Sequence, residues 1–220
     1  MKIKFLSLFF VLILVSCKKE TLLIDTGQDY FPVRTGNWVI YDVDSIFYDD
    51  FLDSVFYFTF QVKEVIESEF MDNEGRATLR IERYYRDSLE AVWALKDVWT
   101  ANRTPRTAEK VENNTRFIKL IFPIVKNAKW DGNKANNLDE NKYEYTDIHT
   151  AYTVDTQTFD SCLIVQHENE LTLFTQKFSQ EVYAKNIGKI YSNNINIEKL
   201  ADGTIVSGFD YTYKVVSWGN

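Results

Sequence analysis

Cysteine is scarce in this sequence, since only Cys17 and Cys162 carry a thiol among 220 residues. Two cysteines cannot supply a disulfide framework once Cys17 is assigned to the N-terminal leader described below. The fold must therefore rest on a hydrophobic core. Cys162 lies in the apolar run of residues 161–165, where a lone thiol is usually a small core side chain, and we expect it to be buried.

Histidine is equally scarce, and the chain lacks the short motifs of common enzymes. His149 and His167 are not in a His-x-x-x-His spacing that would place two ligands on one metal, so we expect each to be solvated or singly hydrogen-bonded. The sequence contains no Gly-x-Ser-x-Gly motif and no glycine-rich phosphate loop. We therefore expect a non-enzymatic protein with no catalytic residues, no metal site and no cofactor.

Basic residues are outnumbered by acidic ones, 25 to 32, which gives a net charge of −7. A surface of this sign repels phosphate backbones, so we expect no nucleic-acid partner. Aromatic residues, in contrast, are plentiful, with 16 Phe, 13 Tyr and 5 Trp. They are enough to build one large core, and the length suits a single domain.

One long uncharged apolar run is present, at residues 5–15, after the basic residues Lys2 and Lys4. It is too short for a permanent membrane-spanning helix, which needs about 20 apolar residues, and is typical of a secretory signal peptide. The run ends in the tetrapeptide Leu-Val-Ser-Cys, residues 14–17. This ending resembles the lipobox of bacterial lipoproteins, which implies cleavage before Cys17 and a lipid on its sulfur.

These features predict three parts: a signal peptide at residues 1–16, a lipidated flexible tether at 17–28, and a single mostly β domain at 29–220. A triacylated cysteine would hold the protein firmly on a membrane, because several acyl chains bind far more tightly than one. Residues 18–20, Lys-Lys-Glu, match only part of the Lys-plus-acidic signal of surface-displayed lipoproteins. We expect an outer-membrane location with the periplasmic face favoured over the cell surface.

Alternation of apolar and polar side chains dominates the rest of the chain. The clearest case is residues 54–62, in which Phe56, Phe58, Phe60 and Val62 share one face, which should face the core. A helical pattern is limited to a short stretch at residues 108–112. Predicted strands are 38–44, 54–62, 77–86, 92–101, 117–122, 143–154, 159–166, 170–178, 182–190 and 204–217, with turns that include 113–114, 155–157, 167–169, 193–194 and 201–203.

This pattern predicts a mainly β domain made of one antiparallel, strongly curved sheet, either a half-open or a closed barrel. A two-sheet β-sandwich is the alternative.

A charged residue interrupts the apolar face of the second strand of the predicted hairpin. If the turn is centred near residues 71 and 72, Phe60 lies opposite Arg83 and Phe58 lies opposite Tyr85. Arg83 would then point into the concave side with its stem over Phe60 and would bind a carboxylate or carbonyl there. The alternative is a strand slipped or bulged by one residue that turns Arg83 to solvent. In the first case Arg83, Phe60 and Tyr85 form a candidate site for the acidic group of a ligand.

Three stretches, at residues 30–41, 122–133 and 181–190, together resemble a group of uncharacterised outer-envelope lipoproteins of Bacteroidetes-type bacteria. The resemblance covers nearly the whole mature chain and implies no activity. A looser likeness, at the level of the fold, is to half-barrel carriers that handle lipoproteins and other amphiphiles in the periplasm.

Three Asp-Ser-aliphatic tripeptides resemble the acceptor motif for O-linked glycans on exported proteins of the same bacteria. The resemblance implies that Ser45, Ser54 and Ser88 are candidate glycosylation sites.

Three classes of function remain open. The first is a lipid-anchored binding or accessory module for a partner protein or an amphiphilic molecule. The second is a periplasmic carrier that holds an amphiphile in a half-barrel, and the third is an enzyme or a glycan-binding domain that uses Trp93 or Trp99. An empty apolar volume inside the sheet would favour the carrier, whereas a filled core would favour the interaction module.

Overall fold

The structure is a computed structural model that describes residues 25–220. The predicted signal peptide, Cys17 and the first part of the predicted tether lie outside these residues. The described chain consists of a 3₁₀ turn (Gln28–Tyr30) followed by twelve strands. The strands are β1 (Trp38–Asp49), β2 (Ser54–Met71), β3 (Ala77–Arg86), β4 (Ala94–Arg103), β5 (Thr107–Glu112), β6 (Thr115–Ile121), β7 (Lys129–Asp131), β8 (Lys142–Val154), β9 (Gln157–Leu171), β10 (Thr175–Ala184), β11 (Gly188–Lys199) and β12 (Ile205–Gly219).

All twelve strands belong to one antiparallel sheet in the order β6-β5-β4-β3-β2-β1-β12-β11-β10-β9-β8-β7. The sheet curls into a nearly closed barrel, which confirms the predicted fold class over the sandwich. A seam remains between β6 and β7, where isolated contacts replace a ladder. Ile118 donates its amide to the carbonyl of Gly132 at 2.9 Å, and the hydroxyl of Tyr145 lies 2.8 Å from the amide nitrogen of Ile121.

The predicted strands that are flanked by clear turns agree with the structure, whereas some polar residues that predict turns lie inside strands. Residues 77–86 coincide with β3, but the helical interpretation of 108–112 is wrong, because these residues form β5 and pair with both β4 and β6. The predicted turns at 167–169 and 193–194 lie inside β9 and β11. Many side chains in these strands face a polar interior, so polarity does not mark a turn. The predicted strands 170–178 and 182–190 each include a real turn.

The predicted β2–β3 register is wrong, although its inward and outward faces are correct. The turn is centred near Glu74, and β2 carries a bulge between Ile66 and Ser68, so Glu64 lies opposite Arg83. Val62, rather than Phe58, lies opposite Tyr85. The shift leaves the face unchanged because it moves the pairing by an even number of positions. Beyond the core, β2 projects past the barrel, and Phe56 and Phe58 are exposed instead of buried.

One end of the barrel is closed by the segment that precedes β1. Tyr30 is fully buried there, and its hydroxyl lies 2.8 Å from Nδ1 of His149 and 2.7 Å from the hydroxyl of Ser161. Gly27, with φ of 77°, starts this segment, and a Cβ at that position would lie 2.3 Å from Ile124. Only glycine combines this backbone conformation with so close a neighbour.

A second core lies on the outer side of the sheet. The hairpin of β8 and β9 bends across β10 and β11, and the side-chain amide of Gln157 reaches the carbonyl of Val216 in β12 at 3.2 Å. Beneath it Cys162 is fully buried, as predicted, and burial raises the pKa of its thiol to about 11. The thiol is therefore neutral at physiological pH and acts as a core side chain.

Within residues 25–220, no helix has the length and apolar character needed to cross a bilayer.

Candidate functional site

The end of the barrel opposite Tyr30 is open and leads into a chamber of about 430 Å³. This volume is within the range of about 300–1,000 Å³ that is usual for small-molecule sites. We call this space the chamber and its opening the mouth. Its wall combines aromatic rings with charged and amide side chains, among them Trp99, Phe117, Lys119, Gln180 and Tyr213. A smaller pocket of about 80 Å³ lies deeper, towards the closed end.

Seven ionisable side chains separate the chamber from the deeper pocket. We call them the interior ion cluster: Glu64, Arg83, Lys110, Glu112, Lys119, Glu181 and Lys189. All come from strands at positions that point into the barrel. Buried charges persist only when partners of opposite sign and hydrogen bonds offset the loss of water.

One half of the cluster is centred on Glu64. Its two carboxylate oxygens accept hydrogen bonds from Arg83 at 3.0 Å and from Lys110 at 2.9 Å. Arg83 also stacks over Trp99 at 3.7 Å and donates to Asp97 at 3.2 Å. Burial alone would raise the pKa of Glu64, but the charges of Lys110 and Arg83 outweigh it and hold that pKa well below its ordinary value.

The other half is centred on Glu181. Its Oε1 atom accepts a hydrogen bond from Lys119 at 3.1 Å, and its Oε2 atom accepts one from the hydroxyl of Tyr183 at 2.6 Å. Burial opposes ionisation of Glu181, but the charges of Lys119 and Lys189 lower its pKa well below the usual range. Burial likewise opposes the charged form of Lys119, yet Glu112 and Glu181 raise its pKa. Glu181 and Lys119 are therefore both ionised at neutral pH.

His167 lies beside this half of the cluster, buried and stacked on Tyr143 with ring centroids 3.8 Å apart. His167 is singly hydrogen-bonded, as predicted, but its predicted place in a turn is wrong, because it lies within β9 and faces Glu181 and Ser179 inside the barrel. Its hydrogen bond joins Nδ1 to the hydroxyl of Ser179 at 3.4 Å, and its Nε2 atom lies 3.4 Å from Oε2 of Glu181. Burial lowers the pKa of His167 to about 4, although Glu181 opposes the shift. His149, in contrast, is hydrogen-bonded to Tyr30 as predicted.

The lowered pKa of His167 predicts that the folded protein loses stability on acidification at pH values well above those at which carboxylates titrate. From an unfolded pKa of about 6.5 down to a folded pKa of about 4, only the unfolded chain binds the proton, so stability falls with falling pH. We expect a loss of about 2 kcal/mol between pH 7 and pH 5. Denaturant titrations of wild type and His167→Phe at both pH values should show that the variant lacks this loss. An equal pH dependence in the two proteins would contradict the assignment.

The structure brings together only two of the three residues that were predicted to bind a ligand, Arg83, Phe60 and Tyr85. Arg83 and Phe60 both line the chamber, whereas Tyr85 lies outside it, with its ring 5.0 Å from that of Phe60. Arg83 points inwards and is paired with carboxylates, but its guanidinium stacks on Trp99 rather than on Phe60. The role of these residues in ligand binding stays a prediction.

The three candidate glycosylation sites lie in different surroundings. Ser88 is exposed in the loop that joins β3 to β4. Ser54 is half-buried and donates its hydroxyl to the carbonyl of Leu52 at 2.9 Å. Ser45 lines the chamber, so a glycan on it would occupy the interior. Of the three, Ser88 offers the most accessible hydroxyl, and its modification stays a prediction.

The mouth is bordered by three neighbouring hairpins with exposed apolar tips. They join β1 to β2, β9 to β10, and β11 to β12, and the most exposed side chain is Phe51, at 91% of its maximum. We call this feature the apolar rim, consisting of Phe51, Leu52, Tyr57, Leu171, Leu173, Phe174 and Leu200. Such a concentration of exposed apolar side chains on a soluble surface is typical of an interaction site.

The fold resembles that of a protein assigned as exported, with a YmcC-like fold, from Bacteroides fragilis. The two are 12% identical over 86% of this chain and 98% of that chain, with a TM-score of 0.50. A protein assigned as a lipoprotein from Parabacteroides distasonis aligns over the same shares of the two chains at 9% identity, with a TM-score of 0.41. At such low identity the first likeness shows the fold alone. No family model and no curated protein sequence matches this chain.

Proposed function

We propose that this protein is a lipid-anchored binding protein of the cell envelope, which takes up a small polar ligand through the mouth of its barrel. The observation that carries the proposal is the chamber of about 430 Å³, which is open at one end and bounded by the interior ion cluster at the other. A barrel whose interior served only stability would be filled by apolar side chains.

The lining determines what kind of ligand is favoured. Amide and hydroxyl side chains such as Asn141, Gln180 and Ser192 share the wall with aromatic rings and with the cations Lys119 and Lys189. Hydrocarbon chains would leave these polar groups desolvated and unpaired, at a cost in free energy. The chamber therefore favours a polar molecule over the amphiphile expected of a half-barrel carrier.

The protonation states of three groups in the interior ion cluster support binding rather than catalysis. General acid–base catalysis works best with groups whose pKa lies near the working pH. Glu64 and Glu181 have pKa values well below the ordinary value of a carboxyl group, and the pKa of Lys119 is raised, so none of the three exchanges a proton readily at neutral pH. We accordingly propose a non-enzymatic role.

The position of the first described residue supports an orientation. Asp25 lies at the closed end, where its carboxylate contacts Lys185 at 2.6 Å. A lipid on Cys17 would be attached within roughly 30 Å of this end, the extended length of eight residues. With the anchor in the outer membrane and the domain in the periplasm, the mouth would face away from that membrane. Ligands would then reach the chamber from the aqueous side.

The proposal is tested by filling the chamber. Asn194 lines it and is half-buried, so Asn194→Trp should occupy the space that a ligand needs. Thr158→Trp places the same side chain on an exposed strand position and serves as the control. Mass spectrometry of small molecules extracted from the purified proteins should detect a compound with wild type and Thr158→Trp that is missing with Asn194→Trp. Identical extracts from all three proteins would refute the proposal.

A second candidate function is docking of a partner protein on the apolar rim, which is favoured by the exposure of Phe51 and its neighbours. This role corresponds to the accessory module expected from the sequence. Asn194→Trp distinguishes the two functions, because it fills the chamber and leaves the hairpin tips unchanged.

A further inference from the structure

The cations inside the barrel are not equally neutralised. Three of them donate hydrogen bonds to carboxylates: Arg83, Lys110 and Lys119. Lys189 differs, because its nearest carboxylate oxygen is Oε1 of Glu181 at 3.9 Å, beyond hydrogen-bond distance. That same oxygen already accepts the hydrogen bond from Lys119 at 3.1 Å. Lys189 therefore holds the least compensated charge of the interior ion cluster.

The surroundings of Lys189 confine its ammonium group, but the described residues offer it no hydrogen-bond acceptor. Its side chain is only 16% exposed, and the nitrogen lies 5.6 Å from the ring centre of Tyr41 and 5.2 Å from that of Tyr213. Within residues 25–220 it donates no hydrogen bond to the protein. Lys189 is half-buried, and leaving the three donors of its ammonium group without protein acceptors in such a site carries a cost in free energy. An anion in the chamber would relieve this cost.

Two amide side chains of the chamber are also unengaged. Asn141 and Gln180 both line it, and neither side chain makes a hydrogen bond within the described part of the chain. Each carries a carbonyl acceptor and an amino donor. Paired donors and acceptors of this kind suit hydroxyl groups, which both donate and accept.

We propose, building on the function proposed above, that Lys189 binds the carboxylate of a small hydroxylated acid, such as a sugar acid, whose hydroxyl groups contact Asn141 and Gln180. The charge of the ligand follows from the other groups in the wall. Glu112 and Glu181 line the same chamber and would repel a second negative charge, while their partner Lys119 is already neutralised. A monoanion is therefore favoured over a phosphate monoester, which carries close to two charges.

The test is calorimetric titration of the full chain in detergent micelles with D-glucuronate, D-glucose and D-glucose 6-phosphate at constant ionic strength. We expect wild type to bind glucuronate at least tenfold more tightly than either other probe. Lys189→Met should weaken glucuronate binding at least tenfold. Lys185→Met removes the same charge at the closed end, where Lys185 contacts Asp25, and should leave binding unchanged.

Folding of Lys189→Met is checked by denaturation, and its stability should equal or exceed that of wild type, because the variant removes a half-buried charge that is only partly compensated. Lys189→Arg, which keeps the charge, should retain part of the affinity. The inference is overturned if wild type binds none of the probes, if glucose binds as well as glucuronate, or if Lys189→Met binds glucuronate like wild type. A compound still displaced by Asn194→Trp would then leave the proposed function standing without this ligand class.

Discussion

Glu181→Leu should destabilise the folded protein by about 3–5 kcal/mol, because it removes one partner of a buried ion pair and leaves the other charge uncompensated. Lys119 would lose its hydrogen bond of 3.1 Å, and the hydroxyl of Tyr183 would lose its acceptor. Denaturant unfolding monitored by tryptophan fluorescence gives the change in the free energy of unfolding. Glu144→Leu is the matched control, because Glu144 pairs with Lys129 on the exposed surface. Its cost should stay below about 1 kcal/mol.

The double variant Lys119→Met/Glu181→Leu distinguishes the effect of removing the whole ion pair from the effect of leaving one buried charge without its partner. Replacing both members of a buried ion pair by apolar residues is often neutral, so the double variant should recover much of the stability lost in Glu181→Leu. If the stability losses of the single variants Lys119→Met and Glu181→Leu simply add in the double variant, the two residues are not coupled, and their assignment as a buried ion pair is wrong.

Tyr30→Ala, as a single variant, should lower the free energy of unfolding by about 3–5 kcal/mol, the loss usual for truncating a fully buried aromatic side chain. Tyr30→Phe keeps the ring and removes only the hydroxyl that contacts His149 and Ser161, and should cost about 1 kcal/mol. Tyr57→Ala truncates an exposed tyrosine and should change stability by less than about 0.5 kcal/mol. Denaturant titration of the three variants tests whether the ring of Tyr30 holds the closed end together. Equal losses for Tyr30→Ala and Tyr57→Ala would exclude that role.

The fold class could be predicted from the sequence because alternation is a local property. Residues 77–86 alternate cleanly and are bounded by turn residues, so their strand was placed correctly. The same alternation predicts that the side chain of Arg83 points into the barrel, since Arg83 lies between Ile81 and Tyr85. The same reasoning would have found Glu64, which lies between the inward residues Val62 and Ile66.

The interior ion cluster as a whole could not be predicted, because its partners are distant in the sequence. Lys119 and Glu181 are 62 positions apart, and Glu64 and Lys110 are 46 apart. Which strands face each other across a barrel depends on the complete strand order, and one sequence does not reveal it. The register of β2 and β3 also depended on a bulge near Ile66, where the alternation breaks, but a broken alternation does not say how many positions the pairing moves.

The strand order has a consequence for how the chain folds. Strands β1 to β6 form one meander and β7 to β12 form another, and the two are joined in the middle of the sheet by the pairing of the first strand with the last. Trp38 lies opposite Gly219, so this pairing closes a loop of nearly the entire domain. Contacts of such long range make folding slow, and until β12 arrives the edge of β1 stays open to strands of other chains. During synthesis, the incomplete protein therefore needs protection from aggregation until its last strand is present.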